Sequence, residues 1–223
     1  MKRTTRRRSG AAVVTALMVC FGLAACGGGA DTSFSEQPDG RSGGDANAQG
    51  AGAQTFGDGC SAIPTGGEGS FNGMITDPVT TAASHNPLLK TLVSAVWQVD
   101  GLADMLNAAA ELTVFAPTDE AFAKIPEADL NAVLADETAL AALLSHHVVG
   151  EELDPEAVVG EHDTLNGDTV TVDGDPEAGM TVDGGTAEVI CGNIATSNAT
   201  VYVIDAVLNG DATIPPSATN GED

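Results

Sequence analysis

The groups able to do chemistry in this chain are four cysteines, an adjacent histidine pair and several runs of carboxylates. Cys60 and Cys191 have no partner at CxxC or metal-ligand spacing, so a redox or zinc role lacks its parts. His146 and His147 offer imidazoles that suit transition metals, but consecutive residues on an extended segment point to opposite faces, which prevents chelation by both. Asp173-Gly174-Asp175-Pro176-Glu177 starts like a calcium loop. The sixth position should then be Gly and the twelfth Glu, where the chain has Ala178 and Gly184, so the segment is read as a hairpin turn. Glu151, Glu152, Asp154 and Glu156 read as a solvated acidic loop. HExxH, a Walker loop, a G-x-S-x-G elbow and a dinucleotide fingerprint are all missing, so hydrolase, ATPase and dehydrogenase readings lack their minimal constellations. The expectation is a non-enzyme with no cofactor and no metal.

The other two cysteines are explained by the start of the chain. Lys2, Arg3, Arg6, Arg7 and Arg8 make a basic opening, and an apolar run from Ala11 to Ala25 follows. That run suits a signal-peptide core and falls short of the ~20 residues needed to span a bilayer. It ends in Leu23-Ala24-Ala25-Cys26, which resembles the lipobox of bacterial lipoproteins: small residues admit a peptidase, and the cysteine sulfur takes a diacylglycerol. The arginines are compatible with either general or twin-arginine export. Cys20 then falls in the removed segment and Cys26 carries lipid. Cys60 and Cys191 remain as two thiols outside the cell, where they most simply pair. The expected location is the outer face of the cell membrane, with some protein shed or secreted.

Five of the eight basic residues precede Cys26 and all 32 acidic ones follow it, leaving 3 against 32 in the processed chain. Such a surface repels phosphate backbones, which excludes direct nucleic-acid binding, and it favours solubility in an envelope.

These groups need a scaffold, and the text divides into four parts: a signal at 1–25, a tether at 26–59, a folded domain at 60–208 and a tail at 209–223. The tether is Gly, Ala, Ser, Asp, Gln and Asn, too polar to bury a core, and as a coil it reaches on the order of 30 Å. Within the domain, Thr76-Asp77-Pro78 and Asn86-Pro87 read as helix starts, the second leading into Leu88, Leu89, Leu92, Val93 and Val96 at helical spacing. Further helices are expected at Leu102 to Ala109, Glu127 to Leu134 and Thr138 to His146, with a buried strand at Leu112 to Ala116. After Gly150 the period changes to two in Thr169-Val170-Thr171-Val172, Met180-Thr181-Val182, Ala187-Glu188-Val189-Ile190 and Val201-Tyr202-Val203-Ile204, separated by Asn-Gly, Asp-Gly and Gly-Gly turns. Helices first and antiparallel strands later indicate an α+β class. Asn198-Ala199-Thr200 has the form of a glycosylation sequon and is read as the turn into the last strand. Seven aromatic residues follow Cys26, so few are left for an aromatic binding platform.

Thr113-Val114-Phe115-Ala116-Pro117-Thr118-Asp119-Glu120-Ala121-Phe122 is an apolar strand, a proline turn and a capped helix returning Phe122 to the core. It resembles the first block of the fasciclin domain, with Asp119 where asparagine is usual. Leu144-Ser145-His146-His147-Val148-Val149 resembles the second block, with His146 where the family has tyrosine. The likeness covers the whole folded segment and extends to secreted and lipid-anchored fasciclin antigens of mycobacteria. It implies a fasciclin-type fold, a wedge of two β-sheets with several helices against it. It also implies a disulfide between Cys60 and Cys191 and an adhesion or interaction role without catalysis. The changed tyrosine removes the basis for integrin-type recognition. His147 is expected to be a half-buried imidazole bonded to backbone where helix meets strand, His146 to be less constrained, and the pair to mark a binding surface. The partner expected is an unidentified envelope or extracellular-matrix protein met by a monomer held through its lipid. The alternative is a carrier enclosing a small hydrophobic ligand between the sheet and the helix at Leu88 to Val96.

Overall fold

The computed structural model describes residues 50–210. The helical half runs α1 (Phe71–Met74), α2 (Val79–His85), α3 (Lys90–Gln98), α4 (Leu102–Ala108), strand β1 (Leu112–Pro117), α5 (Asp119–Ala123), α6 (Glu127–Ala135) and α7 (Glu137–His146). Strands then follow as β2 (Val148–Val149), β3 (Gly160–Asp163), β4 (Thr169–Asp175), β5 (Gly179–Val182), β6 (Ala187–Ala195) and β7 (Ala199–Ile204). The α+β class stands. The short α1, β2 and β3 were not visible in the periodicity, since four residues or fewer hold barely one repeat.

Two helix starts differ from the local reading. The first amide of α2, that of Val79, donates to Asn198 Oδ1 at 2.9 Å, and Thr91 N in the first turn of α3 donates to Asp119 Oδ1 at 2.7 Å. Orphan amides at a helix start need an acceptor, and here it comes from distant chain rather than from Thr76 or Asn86. Asn86 instead bonds Leu88 N, and α3 begins later, at Lys90. Local caps do hold elsewhere: Thr118 accepts from Ala121 N at α5, and Asp136 from Thr138 N and Ala139 N at α7.

The strands form one ladder in the order β2-β1-β7-β6-β5-β4-β3. From β3 to β7 every neighbour is antiparallel, as the meander predicts. Next to the β2 edge, however, stands a parallel pair, β1 with β7, in register from Leu112↔Ala199 to Pro117↔Ile204. Both strands are buried along their full length, as expected for strands covered on both faces. The strands thus make one nearly closed seven-stranded mixed ladder, and the expected wedge of two sheets is not confirmed. Register shifts in β6 between Val189 and Cys191 and between Cys191 and Ile194 bend the ladder, and a bridge from Val149 to Thr164 nearly joins its two ends. Alternation sorts the side chains: Val114, Ala116, Val201 and Val203 face the helices, while Phe115, Tyr202 and Ile204 join Val170, Val172, Met180 and Val182 in a second cluster.

Folded structure begins before Cys60. Phe56 pairs with Gly192, its ring lying where any β-carbon on that glycine would collide, and Ala51 N donates to Asn72 Oδ1 at 3.0 Å. The last ten residues assigned to the tether, 50–59, thus belong with the domain. Cys60 and Cys191 are joined in a disulfide closing a separation of 131 residues. The signal segment, the lipidation position Cys26 and most of the tail lie outside the described residues.

Candidate functional site

The fasciclin-like motif residues are architectural. Thr113 is fully buried; its hydroxyl donates to Glu151 O and accepts from Leu153 N, tying β1 to the loop after β2. Phe115 stacks at 5.8 Å on Tyr202, whose hydroxyl reaches Leu153 O. Ala116, Pro117 and Phe122 are buried, Thr118 N bonds Ile204 O, and Asp119 reaches back to α3. Asp119 therefore caps a helix, though not the one it begins.

The histidine pair sits at the end of α7, where the chain turns into β2. The expected binding surface at His146 and His147 is not formed: the residues are 2% and 3% exposed. His147 donates from Nδ1 to Leu143 O at 2.8 Å and accepts at Nε2 from Leu208 N at 3.0 Å. One nitrogen carries the proton and the other must not, so the ring is neutral. Burial pushes its pKa down to about 4, the backbone hydrogen bond to Leu143 opposing this. The backbone-bonding reading holds, with full burial in place of half.

His146 is the more constrained ring, against expectation. Its Nδ1 lies 2.8 Å from Asp168 Oδ1 and its Nε2 lies 3.1 Å from Asp183 Oδ2. Both partners accept, so both nitrogens carry hydrogen and the ring is an imidazolium. Burial pushes its pKa down, but the bonds to Asp183 and Asp168 and their charges outweigh this and raise it. At Asp168 burial is opposed by hydrogen bonds from Thr164, His146 and Asn166, which hold the carboxyl down at about 2. The ring thus joins the end of α7 to the β3–β4 and β5–β6 turns. Gly210, at φ 47°, lies against it where a side chain would collide. Asp168 and Asp183 carry no spacing signal in the sequence; only the folded turns bring them to the ring.

Other groups are placed as read. Glu151, Glu152, Asp154 and Glu156 are exposed, and Asp175 accepts from Glu177 N and Ala178 N in the turn between β4 and β5. Asn198 stands at the turn into β7 and does more than expected, donating to Leu106 O and Ala109 O at the end of α4 while capping α2. Among the described residues no group of three His, Cys, Asp or Glu side chains is placed to hold a metal, and no helix is long and apolar enough to cross a membrane.

The main apolar recess lies between α2, α3, α4, α7 and β1. It has a volume of about 40 Å³, and Trp97 stands on its rim, 62% exposed. A second recess between α2, α3 and the sheet is smaller, about 30 Å³. Trp97 is one of the seven aromatic residues that follow Cys26. Its neighbours in α3, Leu92, Ala95 and Val96, are buried, and only the helical phase turns Trp97 outward.

A profile of the family described as Fasciclin domain matches residues 87–210. The chain is 42% identical over 167 residues to the Immunogenic protein MPB70 of Mycobacterium bovis, covering 71% of this chain and 83% of that one. It is 43% identical over 164 residues to the Cell surface glycolipoprotein MPT83 of Mycobacterium tuberculosis, covering 70% and 72%. Among solved structures it is similar to a FAS1 domain pair from the insect cell adhesion molecule Fasciclin I, at 26% identity and a TM-score of 0.46, over 54% of this chain and 45% of that one. With a matching profile over more than half its length and relatives above 40% identity along most of theirs, the chain belongs to the fasciclin domain family.

Proposed function

We propose that this protein is an exported lipoprotein, anchored through Cys26 to the outer face of the cell membrane, whose acidic fasciclin domain is a monomeric, non-catalytic module for binding an envelope or extracellular-matrix protein. The observation that carries the reading is Leu23-Ala24-Ala25-Cys26 standing ahead of a domain 43% identical to a protein named a cell surface glycolipoprotein. The two most conspicuous titratable side chains, His146 and His147, are consumed by internal bonds, which leaves recognition to the exterior. The two apolar recesses, about 40 and 30 Å³, are too small to enclose a lipid, and the larger hollows, about 430 and 440 Å³, are lined by groups such as Glu151, Glu161, Asp163, Asp58 and Glu177 that do not suit an apolar ligand, which weighs against the carrier reading.

Metabolic labelling with a fatty-acid analogue tests the anchor. The wild-type chain takes the label and Cys26→Ser does not, and cells expressing the variant lose adhesion to matrix or to partner cells. An unlabelled wild-type chain, or unchanged attachment in cells whose variant protein has left the surface, contradicts the proposal.

A further inference from the structure

We propose that the helical face around Trp97 is a docking site for a partner protein that seats one branched aliphatic side chain, flanked by basic residues, in the recess between α2, α3, α4 and α7. This rests on the interaction reading above and names the surface that carries it out.

Trp97, in the last turn of α3, is 62% exposed, and Met105 on the adjacent α4 is 50% exposed. Every other described aromatic side chain is buried or half-buried. A large aromatic left in water beside an apolar recess is the usual composition of an interface anchor point. Val79, Ala83, Val93, Val96, Leu106 and Leu144 line the recess below it.

The chemistry of the walls selects the occupant. Thr80 Oγ1 is already bonded to Asn107 Oδ1 at 2.6 Å, and both nitrogens of His147 are taken by Leu143 O and Leu208 N. The walls offer a polar ligand no free donor and are otherwise aliphatic, so the occupant is hydrocarbon. A volume of about 40 Å³ holds roughly three water-sized groups. That matches the isopropyl end of a leucine or valine and excludes a sugar ring or an acyl chain.

Charge sets what surrounds that side chain. Asp100 and Asp104 follow Trp97 by three and seven residues, at the α3–α4 corner and in the first turn of α4, and Glu137 joins them by accepting from Asp100 N at 3.2 Å. Lys90 is the one nearby cation on α3, about 10 Å along the helix from Trp97. An acidic rim on a chain with 32 carboxylates attracts a basic segment and repels both an anionic membrane and a second copy of itself.

Trp97 is the chain's single tryptophan, so its emission reports occupancy of this site. The full chain is titrated with three synthetic peptides: a leucine between two pairs of lysines, the same peptide with serine replacing leucine, and leucine between two pairs of glutamates. The leucine–lysine peptide gives a saturable blue shift about tenfold tighter than the serine peptide, the ratio expected for burying one aliphatic side chain. The glutamate peptide gives none. Asp104→Lys weakens the leucine–lysine peptide about threefold at low salt, and Ala83→Leu, which fills the recess, abolishes the leucine preference while circular dichroism and thermal unfolding stay near wild type. Equal responses to leucine and serine, or no response from folded protein, overturns the proposal. Either result leaves the fatty-acid labelling outcome unaffected, so failure of the surface and failure of the anchor are told apart.

Discussion

His146 Nδ1 lies 2.8 Å from Asp168 Oδ1 inside the domain, with Asp183 Oδ2 3.1 Å from the other ring nitrogen. The next residue, His147, is neutral and bonded only to backbone. Two adjacent imidazoles are thus held in opposite protonation states, and their pH responses have opposite signs.

For His147 the unfolded chain gains a proton near pH 6.5, whereas the folded chain does so only at about 4. Between these values the unfolded state binds more protons, so stability falls as pH drops from 6.5 towards 4, by up to roughly 3 kcal/mol. For His146 the folded value is raised, so its contribution is complete below pH 6.5 and is lost as pH rises through that raised value. Urea unfolding across pH 4 to 9 is expected to show maximum stability near neutrality. His147→Gln flattens the acid limb and His146→Gln the alkaline one.

Asp168→Asn takes from the His146 ring one of its two carboxylate partners, Asp183 remaining at 3.1 Å. It is expected to destabilise by about 1–2 kcal/mol, since the Thr164 and Asn166 contacts at the β3–β4 turn are also weakened. Chemical denaturation at pH 7 measures it. A loss below about 0.5 kcal/mol would show that the ring is not charged.

The helices bound by remote caps were the least legible part of the fold. Elements whose own residues carry the period, α4, α7 and β4 to β7, stand close to their expected positions because burial of one face determines them, and α6 does so with a face that is only half-buried, at Leu130, Val133 and Leu134. Asn198 and Asp119 act across 119 and 28 residues, and no local pattern announces such a partner. The parallel pairing of β1 with β7 was hidden for the same reason: an apolar strand reads alike in either direction. At the histidines, the sequence showed a helix-to-strand junction and so the backbone role of His147. The carboxylates that trap His146 come from turns 22 and 37 residues away.

Asp119→Asn keeps a side-chain oxygen for Thr91 N and is expected to change stability by less than about 0.5 kcal/mol, whereas Asp119→Ala costs about 1 kcal/mol as a lost cap. Asn198→Ala, which also deprives Leu106 O and Ala109 O of their donor, costs more, roughly 2–3 kcal/mol. Thermal melts of the three variants give the order, and equal losses from Asn and Ala at 119 would remove the cap assignment.

The Cys60–Cys191 disulfide closes a loop of 131 residues, worth about 5 kcal/mol in the chain-entropy view. It also fastens the segment at Phe56 to β6. Reduction is expected to lower the Tm by on the order of 10 °C. Two free thiols found on titrating the unfolded, unreduced protein would contradict the pairing.

Display of the domain outside the cell is tested most directly by treating intact cells with a protease that cannot enter them. The wild-type domain is expected to be digested from intact cells while a cytosolic marker survives, and Cys26→Ser to send the domain into the medium. Full protection of the wild-type domain until the cells are lysed would contradict it.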